Sequence, residues 1–337
     1  MSPSATTLSL RNLRRFVTLS AIALAAAGAG AAGLAAIEAC VPADTRPTPG
    51  SVTFTVSASP AVANGVVTAD GWNVQFERVL MSMGNTVLGT GCVDYAEARY
   101  DRVVDVKKAP EPQKVSILHG LGECDVRFRI GSPNADAVLG KDITEDEKTA
   151  LRIPATDYWV RNAGTAMAIF GSASREGVTK RFQMIFRPRL RYARCESPQQ
   201  DGGQALTLVE NVDQFFDISI EAEAILRDDV DARAASLRFD PFAAADRDGD
   251  GTITLDELRT VPIAAVRDAG PFEAGTYEFD DDAGIFRQAR SVPIDTLGDY
   301  VYVLLFPSLA RFRGDGTCGV GVGRLISQQR PQPPPAN

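Results

Sequence analysis

Short segments of alternating apolar and polar residues run through the middle of the chain and predict a mainly β fold. Val52, Phe54 and Val56 alternate with Thr and Ser, as expected of a half-buried strand. From Trp72 the apolar positions follow period two and then change parity. This change predicts a β-bulge near residues 77–78, because one extra residue reverses which side chains face the core. Turn residues between the segments favour an antiparallel β-sandwich-like body, with further strands at 126–130, 165–174, 178–186, 189–194, 205–209 and 216–222.

Helical patterns are fewer and shorter. Residues 144–151 begin with Thr144 and carry Glu147 three positions later, a spacing typical of a capping box at a helix N-terminus. Residues 295–305 predict a helix capped by Asp295, although their Val and Tyr content leaves a strand open. Two more helical stretches flank an acidic loop, at 232–245 and 255–261.

The N-terminal segment predicts an export signal. Three arginines between positions 11 and 15 precede residues 16–37, which carry no charge and consist largely of Ala, Leu and Gly. This arrangement is typical of a signal peptide, here over residues 1–39, although an uncleaved anchor remains open because about 20 apolar residues can cross a bilayer. Residues 28–33 match a dinucleotide-binding glycine pattern, but no strand precedes them, so we assign no cofactor site there.

The end of the signal reads IEAC at residues 37–40 and resembles the bacterial lipobox. The resemblance implies cleavage before Cys40, acylation of that cysteine and attachment to a membrane through the lipid. Because Val41 rather than Asp follows the cysteine, it also implies the outer membrane or another part of the cell envelope, facing the periplasm or the cell surface.

Proline content sets the remaining boundaries. Residues 40–50 predict an extended tether and residues 328–337 a Pro-rich tail. Between them, residues 51–327 form the β-rich domain. Of the five cysteines, four remain if Cys40 is acylated, an even number suited to disulfides in an oxidising compartment. Among the three possible connectivities we predict the uncrossed pairs Cys92–Cys124 and Cys195–Cys318.

The most specific chemical pattern is the acidic loop at residues 246–257. Calcium takes six to eight oxygen ligands, and Asp246, Asp248 and Asp250 supply carboxylates on alternate residues. Gly251 permits the sharp turn that follows, and Ile253 is the apolar anchor of the loop. The remaining predicted ligands are the backbone carbonyl of Thr252, Thr254 through a water molecule, and both carboxylate oxygens of Glu257.

This spacing resembles the EF-hand calcium loop. The resemblance implies Ca²⁺ as cofactor and a short helix–loop–helix insertion over residues 232–262. Pro241 and Pro262 shorten the two helices, and no second motif of this kind occurs, whereas EF-hands usually occur in pairs. A lone, shortened hand favours a structural or adhesive role over a sensor that opens a groove.

The wider chain resembles uncharacterised predicted bacterial lipoproteins that combine a β-rich body with one such loop. The residues that carry this resemblance are Asp70-Gly71-Trp72, the acidic loop and the RGDGTC segment at residues 313–318. This resemblance implies no particular activity.

Charge and motif content narrow the function. A net charge of −8 argues against nucleic acid as a partner, and a single histidine, His119, argues against zinc. No G-x-S-x-G, H-E-x-x-H or P-loop motif is present, and Asp228 and Asp229 are acids of the type that glycosidases use but more often serve turns. We therefore lean away from an enzyme, with a secreted hydrolase as the weaker alternative.

Arginines at positions 187, 189 and 191 are spaced to share one strand face. They predict either an anion or glycan site or a solvated face paired with acids elsewhere. The sequence as a whole favours a calcium-binding exported lipoprotein in which calcium orders a structural loop of a surface binding or scaffold protein. The alternative is a calcium-dependent glycan- or anion-binding receptor.

Overall fold

The computed structural model describes residues 47–89, 91–95, 101–109, 111–152, 164–196, 206–279, 291–312, 316–320 and 323–327. The predicted signal (1–39), the acylation site Cys40 and the tail (328–337) lie outside these residues, as does most of the tether. Within the described ranges, no helix is long and apolar enough to cross a membrane.

Strands dominate the described residues, so the mainly β expectation is confirmed. In chain order they are β1 (Gly50–Ala58), β2 (Val66–Val67), β3 (Asn73–Leu88), β4 (Cys92–Tyr95), β5 (Asp101–Asp105), β6 (Gln113–Cys124), β7 (Val126–Ile130), β8 (Val138–Leu139), β9 (Met167–Arg175), β10 (Val178–Phe186), β11 (Leu190–Glu196), β12 (Leu206–Leu208), β13 (Asp213–Ile220), β14 (Thr252–Thr254), β15 (Gly275–Phe279), β16 (Ser291–Ile294), β17 (Ala310–Phe312), β18 (Thr317–Val320) and β19 (Gly323–Ser327).

The first large sheet has the order β12-β6-β1-β13-β17, with β4 pairing β6. Val52, Phe54 and Val56 of β1 are buried on one face, as the alternation predicts. The expectation of an antiparallel body is wrong at the centre of this sheet, because β1 and β13 run parallel from Ser51↔Asp213 to Ala58↔Ile220. The long chain segment between these strands allows the second to return in the same direction, which a tight turn cannot do.

The second large sheet has the order β14-β10-β9-β3-β7-β11-β18, with β2 and β5 also pairing β3. The register between β3 and β9 shifts between Phe76 and Arg78, which confirms the predicted bulge. Parallel pairs occur here too, between β10 and β14 and between β5 and β8. A third, three-stranded sheet has the order β16-β15-β19.

Buried faces of the two large sheets share one hydrophobic cluster. Phe54 and Phe216 of the first sheet belong to it together with Phe76 and Phe182 of the second. A smaller cluster lies elsewhere on the second sheet and includes Leu80, Val103, Ala137, Ile143, Leu151 and Ala168.

Helices are short: α1 (Pro60–Asn64), α2 (Glu145–Arg152), α3 (Asp240–Ala243), α4 (Leu255–Leu258), α5 (Ile263–Val266) and α6 (Leu297–Asp299). The residues after α6 continue as a π-helix, Tyr300–Leu305, and 3₁₀ turns occur at Ala222–Leu226, Arg267–Ala269 and Phe306–Ser308. The helix predicted at 144–151 is confirmed as α2. That at 295–305 is also helical, but Thr296 rather than Asp295 caps it.

The helices predicted around the acidic loop are much shorter than expected. Of residues 232–245, only α3 is helical, with Pro241 in its first turn. Proline is tolerated there and not further inside, because it has no N–H to donate to the preceding turn. Of residues 255–261, only α4 is helical, and Pro262 caps the separate helix α5.

Two disulfides join neighbouring strands. Cys92–Cys124 links residues 32 apart and Cys195–Cys318 links residues 123 apart. These are the two pairs expected from the sequence. Disulfides persist in oxidising compartments, so they point to a location outside the cytoplasm.

Candidate metal centre

Three carboxylates of the acidic loop converge on one point. Among the described residues, Asp246, Asp248 and Asp250 offer oxygen atoms that all lie within 4.8 Å of one another. Two exposed carboxylates and one less exposed carboxylate thus form a cluster of hard oxygen donors, the ligand type that calcium prefers.

Backbone N–H groups of the loop hold these carboxylates in place. Gly249 N–H donates to Asp246 Oδ1 at 3.0 Å and Gly251 N–H to Asp246 Oδ2 at 3.2 Å. Asp248 Oδ1 accepts from Asp250 N–H at 3.1 Å, and Asp250 Oδ1 accepts from Thr252 N–H at 2.6 Å. Each acid therefore fixes the turn that brings the next acid round the same point.

Gly251 is required by its backbone conformation. Its φ is +81°, in the left-handed region that side chains rarely adopt. An added Cβ would meet nothing within 4 Å. A substitution would therefore strain the backbone rather than collide with a neighbour.

Glu257 and Thr254 are bound to each other. Thr254 N–H and Oγ1 both donate to Glu257 Oε2, at 2.7 and 2.8 Å, and Glu257 N–H donates back to Thr254 Oγ1 at 3.3 Å. This capping box begins α4. The other carboxylate oxygen, Glu257 Oε1, is buried and has no hydrogen-bond partner among the residues that the structure describes. Glu257 does not belong to the converging group of three carboxylates.

The second half of the loop is part of the large sheet. Strand β14 runs parallel to β10, and Ile253 is paired with Phe182. Both side chains are buried. Arg181 N–H also donates to the Gly251 carbonyl at 2.8 Å. The predicted apolar anchor of the loop therefore lies in the core of the body, where β10 supplies the neighbouring strand.

Lys180 of β10 is a site residue that the sequence did not reveal. Its ammonium contacts Oδ2 of Asp246, whose side chain has no exposed surface. The hydrogen bond from Lys180 lowers the pKa of the Asp246 carboxyl below its ordinary value. No sequence signal connects two residues 66 positions apart, because only the docking of the loop on β10 brings them together.

Asp70 anchors the start of the loop segment. Its Oδ2 accepts hydrogen bonds from Phe239 N–H at 2.8 Å and from Asp240 N–H at 2.7 Å. These are the amides of the N-cap residue and of the first residue of α3. Asp70 therefore provides the cap that α3 does not obtain from Phe239, its own N-cap residue.

Trp72 and Arg175 complete this anchor. The Trp72 indole N–H donates to Asp240 Oδ1 at 2.8 Å, and Arg175 pairs with the same carboxylate at 2.8 Å while lying 4.7 Å above the Trp72 ring. Burial alone would raise the pKa of Asp240, but these hydrogen bonds and the arginine charge outweigh it and lower the pKa. The Asp70-Gly71-Trp72 motif thus connects the β body to the helix that leads into the loop.

Other candidate residues lie away from this centre. Asp228 accepts from Ser236 N–H at 2.7 Å and pairs with Arg238, while Asp229 accepts from Asp231 N–H at 2.8 Å. Both acids therefore serve local turns. His119 lies on β6, opposite Ser51 of β1 and Tyr95 of β4.

The predicted arginine face is only partly formed. Strand β11 begins at Leu190, so Arg187 and Arg189 precede it and only Arg191 is on the strand. The expectation of three arginines on one strand face is therefore wrong, since Pro188 interrupts the strand pattern. Arg191 is instead paired across the sheet with Arg129 of β7.

No protein-family model, curated protein or solved structure matches this chain. The resemblance to EF-hands therefore rests on the residues of the loop.

Proposed function

We propose that this chain is a calcium-binding exported lipoprotein, in which calcium orders a structural loop of a surface binding or scaffold protein. The observation that carries the proposal is the convergence of Asp246, Asp248 and Asp250 within 4.8 Å. They lie in a twelve-residue loop with the EF-hand spacing and with Gly251 in the left-handed conformation.

The donor chemistry favours calcium over transition metals. The candidate ligands are carboxylate, hydroxyl and carbonyl oxygens, without a sulfur or imidazole donor among them, and oxygen-only sets suit calcium and magnesium. Glu257 Oε1 supports the same assignment, since a buried carboxylate oxygen without a partner is costly and a cation would satisfy it.

The anchoring of the loop supports a structural role. Helices α3 and α4 have four residues each, and the loop is attached to the body through β14 on one side and Asp70 on the other. A sensor EF-hand changes the angle between two long helices, and four-residue helices offer little surface for such a movement. We infer that calcium stiffens this attachment.

Export and lipid attachment are proposed from the disulfides together with the lipobox-like residues 37–40. Mass spectrometry of the mature N-terminus of the native protein tests this part. We expect an acylated Cys40, and an unmodified N-terminus at any other residue contradicts the lipid anchor.

Calorimetry and thermal unfolding with calcium test the metal site. Extracellular calcium modules have dissociation constants of about 0.1–1 mM, so about 1 mM calcium should stabilise the fold by roughly 0.4–1.4 kcal/mol. We expect a rise in melting temperature of about 1–3 °C. Asp246→Ala should abolish most of this rise and leave the far-UV circular dichroism nearly unchanged.

Asp256→Asn is the matched control, because Asp256 lies in the same loop but its exposed side chain pairs with Arg259 outside the cluster. This variant should retain the calcium response. If the unaltered protein shows neither heat nor stabilisation at about 5 mM calcium, above the usual range of such modules, the calcium site is refuted.

A second candidate function is calcium-dependent binding of an anionic ligand. The observation in its favour is the pairing of Arg191 with Arg129, since like charges directly opposite each other destabilise a sheet unless a negative charge compensates them. Asp101 compensates Arg129, whereas the side chain of Arg191 is exposed and accessible to an anionic ligand. We would measure binding of a sulfated polysaccharide with and without calcium, and loss of binding in Arg191→Gln but not in Arg181→Gln would support this candidate.

A further inference from the structure

The inner face of β10 is apolar except where it reaches the acidic loop, where it carries a lysine. Phe182, Met184 and Phe186 are buried on this face. Lys180 continues the same period-two row, so its side chain leaves the strand on the side of the core. It ends at Asp246, and only 24% of its side-chain surface is exposed. A lysine in this row is therefore directed at the loop rather than at solvent.

Asp246 accepts three hydrogen bonds in this arrangement. Oδ2 accepts from the Lys180 ammonium and from Gly251 N–H, and Oδ1 accepts from Gly249 N–H. Of these three donors the ammonium is the one that belongs to a side chain, since the other two belong to the loop backbone. In the proposed calcium site, Asp246 is the first ligand of the loop.

We propose that Lys180 acts as a tethered competitor of calcium and thereby sets the affinity of the site. This inference rests on the proposed function of the loop. A calcium ion coordinated by Asp246 would bring two positive charges next to the ammonium, so the ion and Lys180 compete for one carboxylate. The ammonium belongs to the chain and its local concentration is fixed, so it raises the calcium concentration needed to fill half of the sites.

The competition also has a selective consequence. A monovalent ion replaces the ammonium with an equal charge and gains nothing in charge, whereas a divalent ion adds one positive charge to a cluster of carboxylates. Displacing Lys180 costs each of these ions the same ion pair, and a divalent ion offsets this cost more readily because it is attracted more strongly by the three carboxylates.

The test compares calcium titration calorimetry of the full chain, without a bound metal at the start, with that of Lys180→Gln. Removing a competing, partly screened ion pair should tighten calcium binding about fivefold. Arg181→Gln is the matched control, because it removes the same charge from the neighbouring residue, whose side chain is exposed. Lys180→Arg keeps the positive charge and should bind calcium within about twofold of the unaltered protein.

The direction of the change separates competition from a merely structural ion pair. If Lys180 only stabilised the loop, Lys180→Gln would bind calcium more weakly or equally well, and either result overturns the inference while the calcium site stands. If neither the unaltered chain nor Lys180→Gln binds calcium, the proposed function fails together with the inference. Tighter binding by Lys180→Gln alone among the variants supports both.

Discussion

Two helices of this protein begin with the same local motif but differ in what completes it. At α2, Thr144 and Glu147 form a capping box, and at α4, Thr254 and Glu257 form another. In both, one carboxylate oxygen of the glutamate accepts hydrogen bonds from the threonine.

The difference lies in the second oxygen. Glu147 Oε1 pairs with Arg78, whereas Glu257 Oε1 is buried without a partner among the described residues. Within the described part of the chain, an arginine pairs with the glutamate of one capping box, and no cation pairs with Oε1 of the other. This contrast suggests that the second box is built for a cation from outside, as a calcium loop requires.

The largest effect is expected when the internal cation is removed. Arg78 pairs with Asp105 as well as Glu147, and the Asp105 side chain is fully buried. Arg78→Gln leaves a buried charge without its ion-pair partner and should lower the free energy of unfolding by about 3 kcal/mol. Urea unfolding measures this loss, and we expect the same value with and without calcium. If calcium restored the free energy of unfolding lost in Arg78→Gln, the claim that only the capping box of α4 responds to calcium would be contradicted.

A smaller effect is expected at the capping box of Thr254 and Glu257, for which we propose a cation from outside the chain. Glu257→Gln removes the charge of a proposed ligand, and the affinity for calcium should fall by on the order of tenfold, or about 1.4 kcal/mol. Glu147→Gln is the control and should bind calcium as the unaltered protein does. Equal calcium affinities of the two variants would show that Glu257 is not a ligand.

Removing the threonine of each box should cost about 1 kcal/mol of stability, the usual value of an N-cap. We expect the deficit of Thr144→Ala to be independent of calcium. The deficit of Thr254→Ala should shrink when calcium is added, because Glu257 Oε2 is then released from Thr254 and can turn towards the ion. Thermal unfolding of both variants, without calcium and at about 5 mM calcium, measures the two deficits. A deficit of Thr254→Ala that does not change with calcium argues against a link between this capping box and the proposed calcium site.

The smallest effect concerns pH. Burial would raise the pKa of Glu147, but hydrogen bonds from Thr144 and Arg78 outweigh it and lower the pKa below its ordinary value of 4.5. An acid with a lowered pKa in the folded state stabilises the fold above its unfolded pKa and loses this contribution as pH falls. The stability difference between the unaltered protein and Glu147→Gln should therefore be largest above pH 4.5 and shrink below it. Urea unfolding at a series of pH values measures this difference. A stability difference that grows as the pH falls would contradict the lowered pKa of Glu147.

Local patterns could be predicted from the sequence, whereas distant partners could not. The bulge before Arg78, the strand at 178–186 and the capping box of α2 follow from neighbouring residues and were predicted. The twelve-residue loop was also visible, because its proposed ligands lie within one short segment.

The surroundings of the loop depend on chain segments far apart in sequence. Asp70 and Asp240 are 170 positions apart, and the parallel partner of β1 is more than 160 positions away. The sequence marked Asp70-Gly71-Trp72 as a motif but could not indicate what it contacts. The predicted length of the helix before the loop was wrong because residues 232–234 are exposed. Only Leu237 and Phe239 of this stretch pack against the hydrophobic core, and neither has a helical backbone.

The position of β14 has a further consequence for how copies of the protein meet. It pairs with residues 181–183 of β10 and is the last strand on that side of the large sheet. An unpaired strand edge is a template for joining other chains. The short strand of the loop therefore covers residues 181–183 of this edge. The exposed Arg181 adds a charge beside it, and charged side chains oppose pairing at a sheet edge. If the loop detaches from β10, this edge becomes available to another chain. A local change in a few loop residues can therefore lower the solubility of the whole protein.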